Sequence, residues 1–306
     1  MSVRLATFNA ENLFARYNFK KNDTPVSEDG FTINDLAFNI YDETDKQITA
    51  QAIREVNADV IALQEIESLP ALDAFNSKYL GKMQYRHRIL IDSFDPRKID
   101  VAILSKLPIM SVRSHRQERN ASNSAWLFSR DCLVVTIDVE GRELLLYVNH
   151  FKSMIEGRAE THDRRKEQAN RVATIIDERW RANEYEGSFV VLGDFNDYPE
   201  GDTALTSLID HPGLENVIKR LSQEDQWTHF YSGKKEYKQL DFILLSKSMA
   251  QINPNPPGIM RKGLPHRAKK YSGPRFPNIG EDGPKASDHA PVFIDVELGH
   301  GVKLVH

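Results

Sequence analysis

Nine short stretches rich in Val, Ile and Leu recur along the chain: "VRLATFN", "DVIALQE", "HRILID", "DVAILSK", "DCLVVTIDV", "ELLLYVNHF", "FVVLGDF", "QLDFILLS" and "APVFIDVEL". Several are nearly continuous in apolar residues, as strands are when both faces of a sheet are covered. Helical spacing falls between some of them. In "TDKQITAQAIREVN", Ile48, Ala52, Ile53 and Val56 share a stripe. In "RRKEQANRVATIIDERW", Ala169, Val172, Ala173, Ile176 and Trp180 do the same, and a further helix is expected from Ser68, with Leu72, Phe75 and Tyr79 inward. Strand and helix do not alternate strictly, because residues 87 to 151 read as successive strands joined by short polar turns. The pattern predicts an α/β (α+β) fold with mixed, largely antiparallel sheets rather than a doubly wound nucleotide-binding sheet.

Polar residues gather where these apolar runs end. "FVVLGDFND" passes from a buried-strand composition straight into Asp194, Asn196 and Asp197, where a carboxylate must be solvated, paired or bound. Asn9 and Glu11 end the first run, Glu65 ends "DVIALQE", and Asn149 and His150 end "LLLYVNH". Asp288 and His289 open the last run, and Asp241 lies inside "QLDFILLS". Singly, each has an ordinary structural reading as a rim residue, a turn former or a cap. Asp241 differs, since an unpaired carboxylate inside an apolar run costs several kcal/mol, and a histidine is its natural partner. If the edges converge, they form one site.

Composition narrows this only a little. A chain of 306 residues, 40% hydrophobic and 27% charged, can bury a sizeable core, and one domain over 1–306 is expected. The long Pro- and Gly-rich stretch from "INPNPPGIM" to "GPKAS" is followed by a strand, which makes it a loop inside that domain. A net charge of −4 supplies no global field for nucleic acid, yet a local basic rim around a metal-loaded acidic centre remains compatible with a nuclease. The single cysteine, Cys132, lies in a core run and is assigned no chemistry. No leader-like segment and no apolar stretch of roughly 20 residues occurs, so a cytoplasmic monomer with no membrane span and no implied protein partner is the default expectation.

The missing motifs matter as much. Neither GxGxxG, GxxxxGK[ST] nor GxSxG is present, which argues against phosphate-cradling glycine loops and against a serine esterase. Carboxylates with two histidines and no thiolate set favour a hard cation, Mg²⁺ or Mn²⁺ with Ca²⁺ as an alternative, and metal-assisted phosphoester hydrolysis.

At this point the residues carry a resemblance. "TFNAEN", "IALQEIE", "VNHFKS", "LGDFND", "QLDFILLS" and "SDHAPV" resemble, in order and approximate spacing, the motifs of the endonuclease/exonuclease/phosphatase superfamily, nearest its deoxyribonuclease-like branch and bacterial extracellular-type nucleases. The resemblance covers residues 4 to about 297. It implies a four-layered αββα sandwich with the site at one edge of the two packed sheets. It also implies metal ligation by Glu65, with Asn9 and Asp288 beside it. His289 is then the general base or a phosphate-polarising histidine oriented by Asp241, His150 a second catalytic histidine, and Asp194 and Asn196 the pair holding water and scissile phosphate. Whether Asp194 or His289 takes the water proton stays open. Arg130 resembles a phosphate-contacting arginine, and Asn149 is grouped with it as a substrate contact.

For substrate, a basic loop holding Arg261, Lys262, Arg267, Lys269, Lys270 and Arg275 with Tyr271, and no acid, could grip a phosphate backbone; Lys269 and Lys270 are the named contacts. The leading expectation is a metal-dependent phosphodiesterase for nucleic acid, most of all DNA. The alternatives are a phosphodiesterase or phosphatase for a small or lipid phosphoester and, from another class, a non-catalytic binding protein on the same scaffold.

Overall fold

The computed structural model describes residues 2–13 and 43–299, together with the backbone of three short strands between 17 and 40. In chain order the elements are β1 (Ser2–Leu13), β2 (Tyr17–Lys21), β3 (Phe31–Ile33), β4 (Leu36–Ile40), α1 (Glu43–Val56), β5 (Val60–Ile66), α2 (Leu69–Tyr79), β6 (His87–Leu90), β7 (Asp100–Ser105) and β8 (Ile109–Ser114). Then come β9 (Cys132–Val139), β10 (Arg142–His150), α3 (His162–Trp180), β11 (Phe189–Asp194), α4 (Thr206–Ile209), β12 (Leu214–Asn216), β13 (His229–Tyr231), β14 (Glu236–Lys238), β15 (Asp241–Ser246), α5 (Lys247–Ile252), β16 (Gly258–Ile259) and β17 (Val292–Glu297).

Two six-stranded sheets dominate, ordered β16-β17-β1-β5-β7-β6 and β12-β15-β11-β10-β9-β8. All their pairings are antiparallel except β1 with β5 and β10 with β11. A parallel pair cannot be closed by a tight turn and needs a crossover. Here α1 lies in the first crossover and α3 in the second.

The alternation of side chains along each strand then sets the layers. Val3 and Leu5, Val60 and Ala62, and Val101 and Ile103 point from the first sheet into one core. They meet Leu133 and Val135, Leu144, Leu146 and Val148, Val190 and Leu192, and Ile243 and Leu245 from the second. The alternate residues Ala6, Phe8, Ile61 and Leu63 face α1, where Ile48, Ala52, Ile53 and Val56 are buried as their spacing predicts. Leu145, Tyr147, Phe189 and Val191 face α3, whose Ala169, Val172, Ala173, Ile176 and Trp180 cover them. The result is the four-layered αββα sandwich.

Helix α2 is capped by Ser68, whose hydroxyl accepts the Ala71 N–H at 3.3 Å. The connection from 115 to 131 departs from the expected short turns, because it folds into a small hairpin and returns through Arg130. Among the described residues no helix is long and apolar enough to cross a membrane.

Candidate active site

The parity that builds the inner core also aims the polar residues at its end. In β11, Val190 and Leu192 face the inter-sheet core, so Asp194, two residues on, faces the same way. His150 continues the inward parity of Val148, and Asp241 that of Ile243. The register sets them side by side: His150 is paired with Asp194 across β10 and β11, and Asp194 with Asp241 across β11 and β15. One row of three ionisable groups thus closes the core at this edge, each at most 2% exposed.

Local backbone features hold the row. Gly193 has φ +139°, and a Cβ there would lie 1.9 Å from the Asn149 carbonyl oxygen, so only glycine lets β11 lie this close to β10. Asn196 sits at φ +50°, a left-handed conformation that Asn tolerates better than most residues. Its N–H donates to Asp194 Oδ1 at 2.8 Å, and its Nδ2 donates to Asp194 Oδ2 at 3.1 Å and to the Phe151 carbonyl at 3.1 Å. The abrupt polar end of this strand is therefore the floor of a cluster. Asp197 is not part of it: wholly buried, it takes Arg158 Nε at 2.7 Å and Arg165 Nε at 3.4 Å, pinning the loop to α3.

From the facing sheet, Asn9 Nδ2 donates to Asp194 Oδ2 at 2.9 Å and lies 3.4 Å from Glu65 Oε1. Simple alternation would send Glu65 outward with Leu63. Instead the β5 register shifts between Leu63 and Ile66, and Glu65 adopts φ +64°. This bulge returns Glu65 to the inner side, where His150 Nε2 is 3.9 Å from its Oε1 and 3.5 Å from Asp194 Oδ2.

His289 closes the cluster from above. Its Nδ1 is 2.9 Å from Asp241 Oδ2, which also accepts the Thr228 hydroxyl at 2.7 Å. Its Nε2 then faces Asp194 Oδ2 at 3.8 Å and Asp288 Oδ1 at 3.9 Å. The corner is stitched to β1: Ser287 Oγ donates to the Asn9 carbonyl, and the Asp288 N–H to Glu11 Oε2, both at 2.8 Å. His229 Nε2 lies 3.5 Å from Asp288 Oδ2, and Lys285 Nζ 2.7 Å from Glu11 Oε1. His229, Thr228 and Lys285 were not legible as site residues, since none ends an apolar run; the aromatic sequence "QWTHFY" gives no chemical cue.

Burial and charge set the protonation states. Burial pushes Asp194 up to about 7, with His289 pulling it down and Asp241 pushing it further up. Burial and the Asp288 charge push Glu11 up to about 7 as well. Burial, with Arg130 and His289 nearby, holds His150 well below the usual imidazole value and hence neutral. Although burial favours the neutral ring, Asp241 and Asp194 raise His289 well above it. Burial likewise opposes the Asp288 charge, but His229, His289 and Lys285 hold that carboxyl below its ordinary value.

Arg130 is buried, with Nε on Asp95 Oδ2 at 2.9 Å and Nη1 on the Phe151 carbonyl at 2.6 Å, the same oxygen that Asn196 contacts. Asn149 is not brought to the cluster. One residue before His150, it has the opposite parity, is fully buried on the α3 side, and donates to the Tyr147 carbonyl at 3.1 Å.

The 261–275 loop also differs from expectation, because acids from elsewhere neutralise it. Arg267 pairs with Asp282 at 2.7 Å, Lys269 with Glu281 at 3.3 Å and Lys262 with Glu55. Arg261 donates to the carbonyls of Asp225 and Trp227, and Arg275 to those of Leu264, Pro265, Ala268 and Tyr271. Lys270 is exposed, with Nζ 5.8 Å from the Trp227 ring centre.

A family model described as "Endonuclease/Exonuclease/phosphatase family" matches residues 4–298, so it spans every strand exit just described. The chain belongs to the endonuclease/exonuclease/phosphatase family. It is, with that family, a metal-dependent phosphoric-ester hydrolase. No curated protein matches the chain.

Solved structures share this family fold at low identity. Truncated TDP2 from Caenorhabditis elegans is 15% identical, with 97% of each chain covered and a TM-score of 0.60. The human Nocturnin catalytic domain with bound sulfate is 14% identical, covering 97% of this chain and 95% of that one, with a TM-score of 0.62. D. rerio TDP2 complexed with single strand DNA product is 15% identical, covering 97% and 99%, with a TM-score of 0.61.

The cluster also suits the family's divalent cation. Among its donors are the hard oxygens of Glu65, Asp194 and Asp288. Two triads, Asp194, Asp241 and His289, and His229, Asp288 and His289, each bring ligand atoms within 4.8 Å of one another.

Proposed function

We propose that the protein is a Mg²⁺- or Mn²⁺-dependent phosphodiesterase of nucleic acid, DNA before RNA, that inserts water into a P–O bond. The observation that carries the reading is the row His150, Asp194 and Asp241 facing Glu65, Asn9 and His289 at 2.9 to 3.9 Å. Glu65 and Asp288 would hold the cation, and Asn9, whose amide N–H orients Asp194, stands beside them. When bound, the cation neutralises charge on a phosphoryl oxygen.

The chain's own residues supply the rest. Asp194, oriented by three N–H donors from Asn9 and Asn196, takes the water proton. Those donors hold its oxygens toward the space between the two sheets, where the attacking water would stand. His289, kept cationic by Asp241 and Asp194, polarises the phosphate through Nε2. Asp241 and Thr228 position His289 rather than touch substrate. Neutral His150 lends a ring N–H to a non-bridging oxygen, and Arg130 adds charge behind it.

The DNA product in the D. rerio TDP2 structure supports a nucleic-acid substrate for this chain. Nicking of a supercoiled plasmid, set beside hydrolysis of a choline phospholipid and a sugar phosphate with Mg²⁺, Mn²⁺ or EDTA, tests the choice. Metal-dependent nicking is expected. Turnover of the phospholipid or sugar phosphate alone would move the substrate to the small-phosphoester class, and no turnover of the plasmid would contradict the nucleic-acid reading.

A further inference from the structure

Two loops beside the reaction centre carry an aromatic stack that the chemistry above does not use. Phe94 and Trp126 lie nearly parallel, ring centres 4.4 Å apart at 13°. The Arg119 guanidinium covers Trp126 at 3.6 Å from its ring centre, and Arg116 lies 5.7 Å from that of Phe94. Phe94 nevertheless stays 40% exposed; Tyr231 is the other large aromatic that shares this exposure among the described residues. Trp126 covers one face of the Phe94 ring, and Arg116, which donates to the Asp92 carbonyl, stands over the ring at a distance that leaves it partly open to water.

The stack is rigidly built. Trp126 rides on the hairpin 118–127, closed by Leu127 N–H to the Glu118 carbonyl at 2.8 Å and Asn120 N–H to the Ala125 carbonyl at 3.0 Å. Asn120 Oδ1 caps the turn by accepting Ser124 N–H at 2.9 Å and Ala125 N–H at 3.1 Å. From α3, Gln168 Nε2 and Arg164 Nε hold the Leu127 carbonyl at 3.0 and 3.2 Å. Phe94 is fixed through its own N–H to the Ser129 carbonyl at 3.1 Å.

The stack is also tied to the centre. Asp95, next to Phe94, holds Arg130 at 2.9 Å, and Arg130 shares the Phe151 carbonyl with Asn196. A group stacked on Phe94 therefore sits on the same rigid path that fixes the residues around the scissile phosphate.

We infer that Phe94, backed by Trp126 and flanked by Arg116 and Arg119, is a stacking subsite for an unpaired nucleobase adjoining the phosphate being cut, which makes single-stranded nucleic acid the preferred substrate. An aromatic face accepts any base, and the flanking guanidiniums favour the neighbouring phosphates. Because the platform is held before substrate arrives, little ordering cost is charged against binding. This inference rests on the nucleic-acid reading above.

The test compares two substrates in wild type, Phe94→Ala and Phe94→Trp with Mn²⁺: oligothymidylate, and an oligomer of equal length with every base replaced by an abasic tetrahydrofuran residue. Stacking predicts that Phe94→Ala lowers kcat/KM on oligothymidylate about fivefold or more, mainly through KM. It also predicts that turnover of the abasic oligomer is unchanged, and that Phe94→Trp retains the wild-type preference. An equal loss on both substrates, or no loss on either, overturns the subsite while leaving the nucleic-acid reading intact. Wild type that nicks plasmid but cuts neither oligomer overturns the subsite alone, whereas failure on plasmid and oligomers alike overturns the nucleic-acid reading as well.

Discussion

Two regions were expected to meet phosphate: the strand exits around Asp194 and the basic loop from Arg261 to Arg275. They turn out to be built on opposite principles. At the strand exits, polar groups with little else to bond to are aimed at one another, and Asp241 Oδ1 and His150 Nδ1 stay buried without a protein partner among the described residues. In the loop, most cations are already spent. Two arginines bind carbonyls that a long irregular segment would otherwise leave unsatisfied, and Lys262, Arg267 and Lys269 face carboxylates. A run of positive residues is thus weaker evidence for a ligand than isolated polar residues at the ends of apolar strands, because the run can be consumed by its own fold.

The largest effect that sharpens this contrast is expected at His289. His289→Ala should lower turnover of bis(p-nitrophenyl) phosphate by about 10³-fold, the scale of a lost acid–base or polarising group, with the circular dichroism spectrum unchanged; an active variant would remove the strand-exit cluster from the chemistry. Arg275→Ala should do the reverse. It should cost about 2 kcal/mol of stability by orphaning loop carbonyls, read as a lower urea midpoint, while kcat holds in the folded protein. A loss of kcat without a loss of stability would give the loop a direct part in the reaction.

A third test uses pH. The folded chain keeps a proton on Asp194 up to about 7, whereas an unfolded carboxylate loses it near about 4. Between those values the native state binds more protons, so stability falls as pH rises and the penalty is complete above 7. In EDTA, Asp194→Asn should therefore show a flatter decline of Tm across that window than wild type. Parallel curves would mean that Asp194 ionises normally. The smallest effect belongs to the lysines: Lys270→Ala should reduce the salt slope of DNA binding by about one, and Lys269→Ala, already paired with Glu281, should leave it unchanged. Equal slopes in the two variants would erase that distinction.

The mixed, largely antiparallel sheets were readable from nearly continuous apolar runs and the helices from stripes at 3.6-residue spacing, whereas the four-layered sandwich was implied by the family resemblance. Edge strand β8, "IMSVRS", was not readable, since its largely exposed side chains carry no apolar run. Within the site, Asp194, His150 and Asp241 obeyed strand parity, and Asn149 lay on the other face for the same reason. Glu65 reached the cluster only through a bulge and a left-handed residue, which strand periodicity does not encode. Thr228 and Lys285 arrive from irregular segments and His229 from the three-residue strand β13, where position depends on long-range contacts rather than on local pattern.

The central claim is that a divalent-metal phosphodiesterase centre is built around the Asp194 carboxylate. Hydrolysis of bis(p-nitrophenyl) phosphate in a Mn²⁺ titration, by wild type and by Asp194→Asn, addresses it most directly. The account predicts saturable Mn²⁺-dependent turnover that EDTA abolishes and that falls by about 10³-fold in the variant. Wild-type turnover indifferent to EDTA, or an Asp194→Asn variant as fast as wild type, would contradict it.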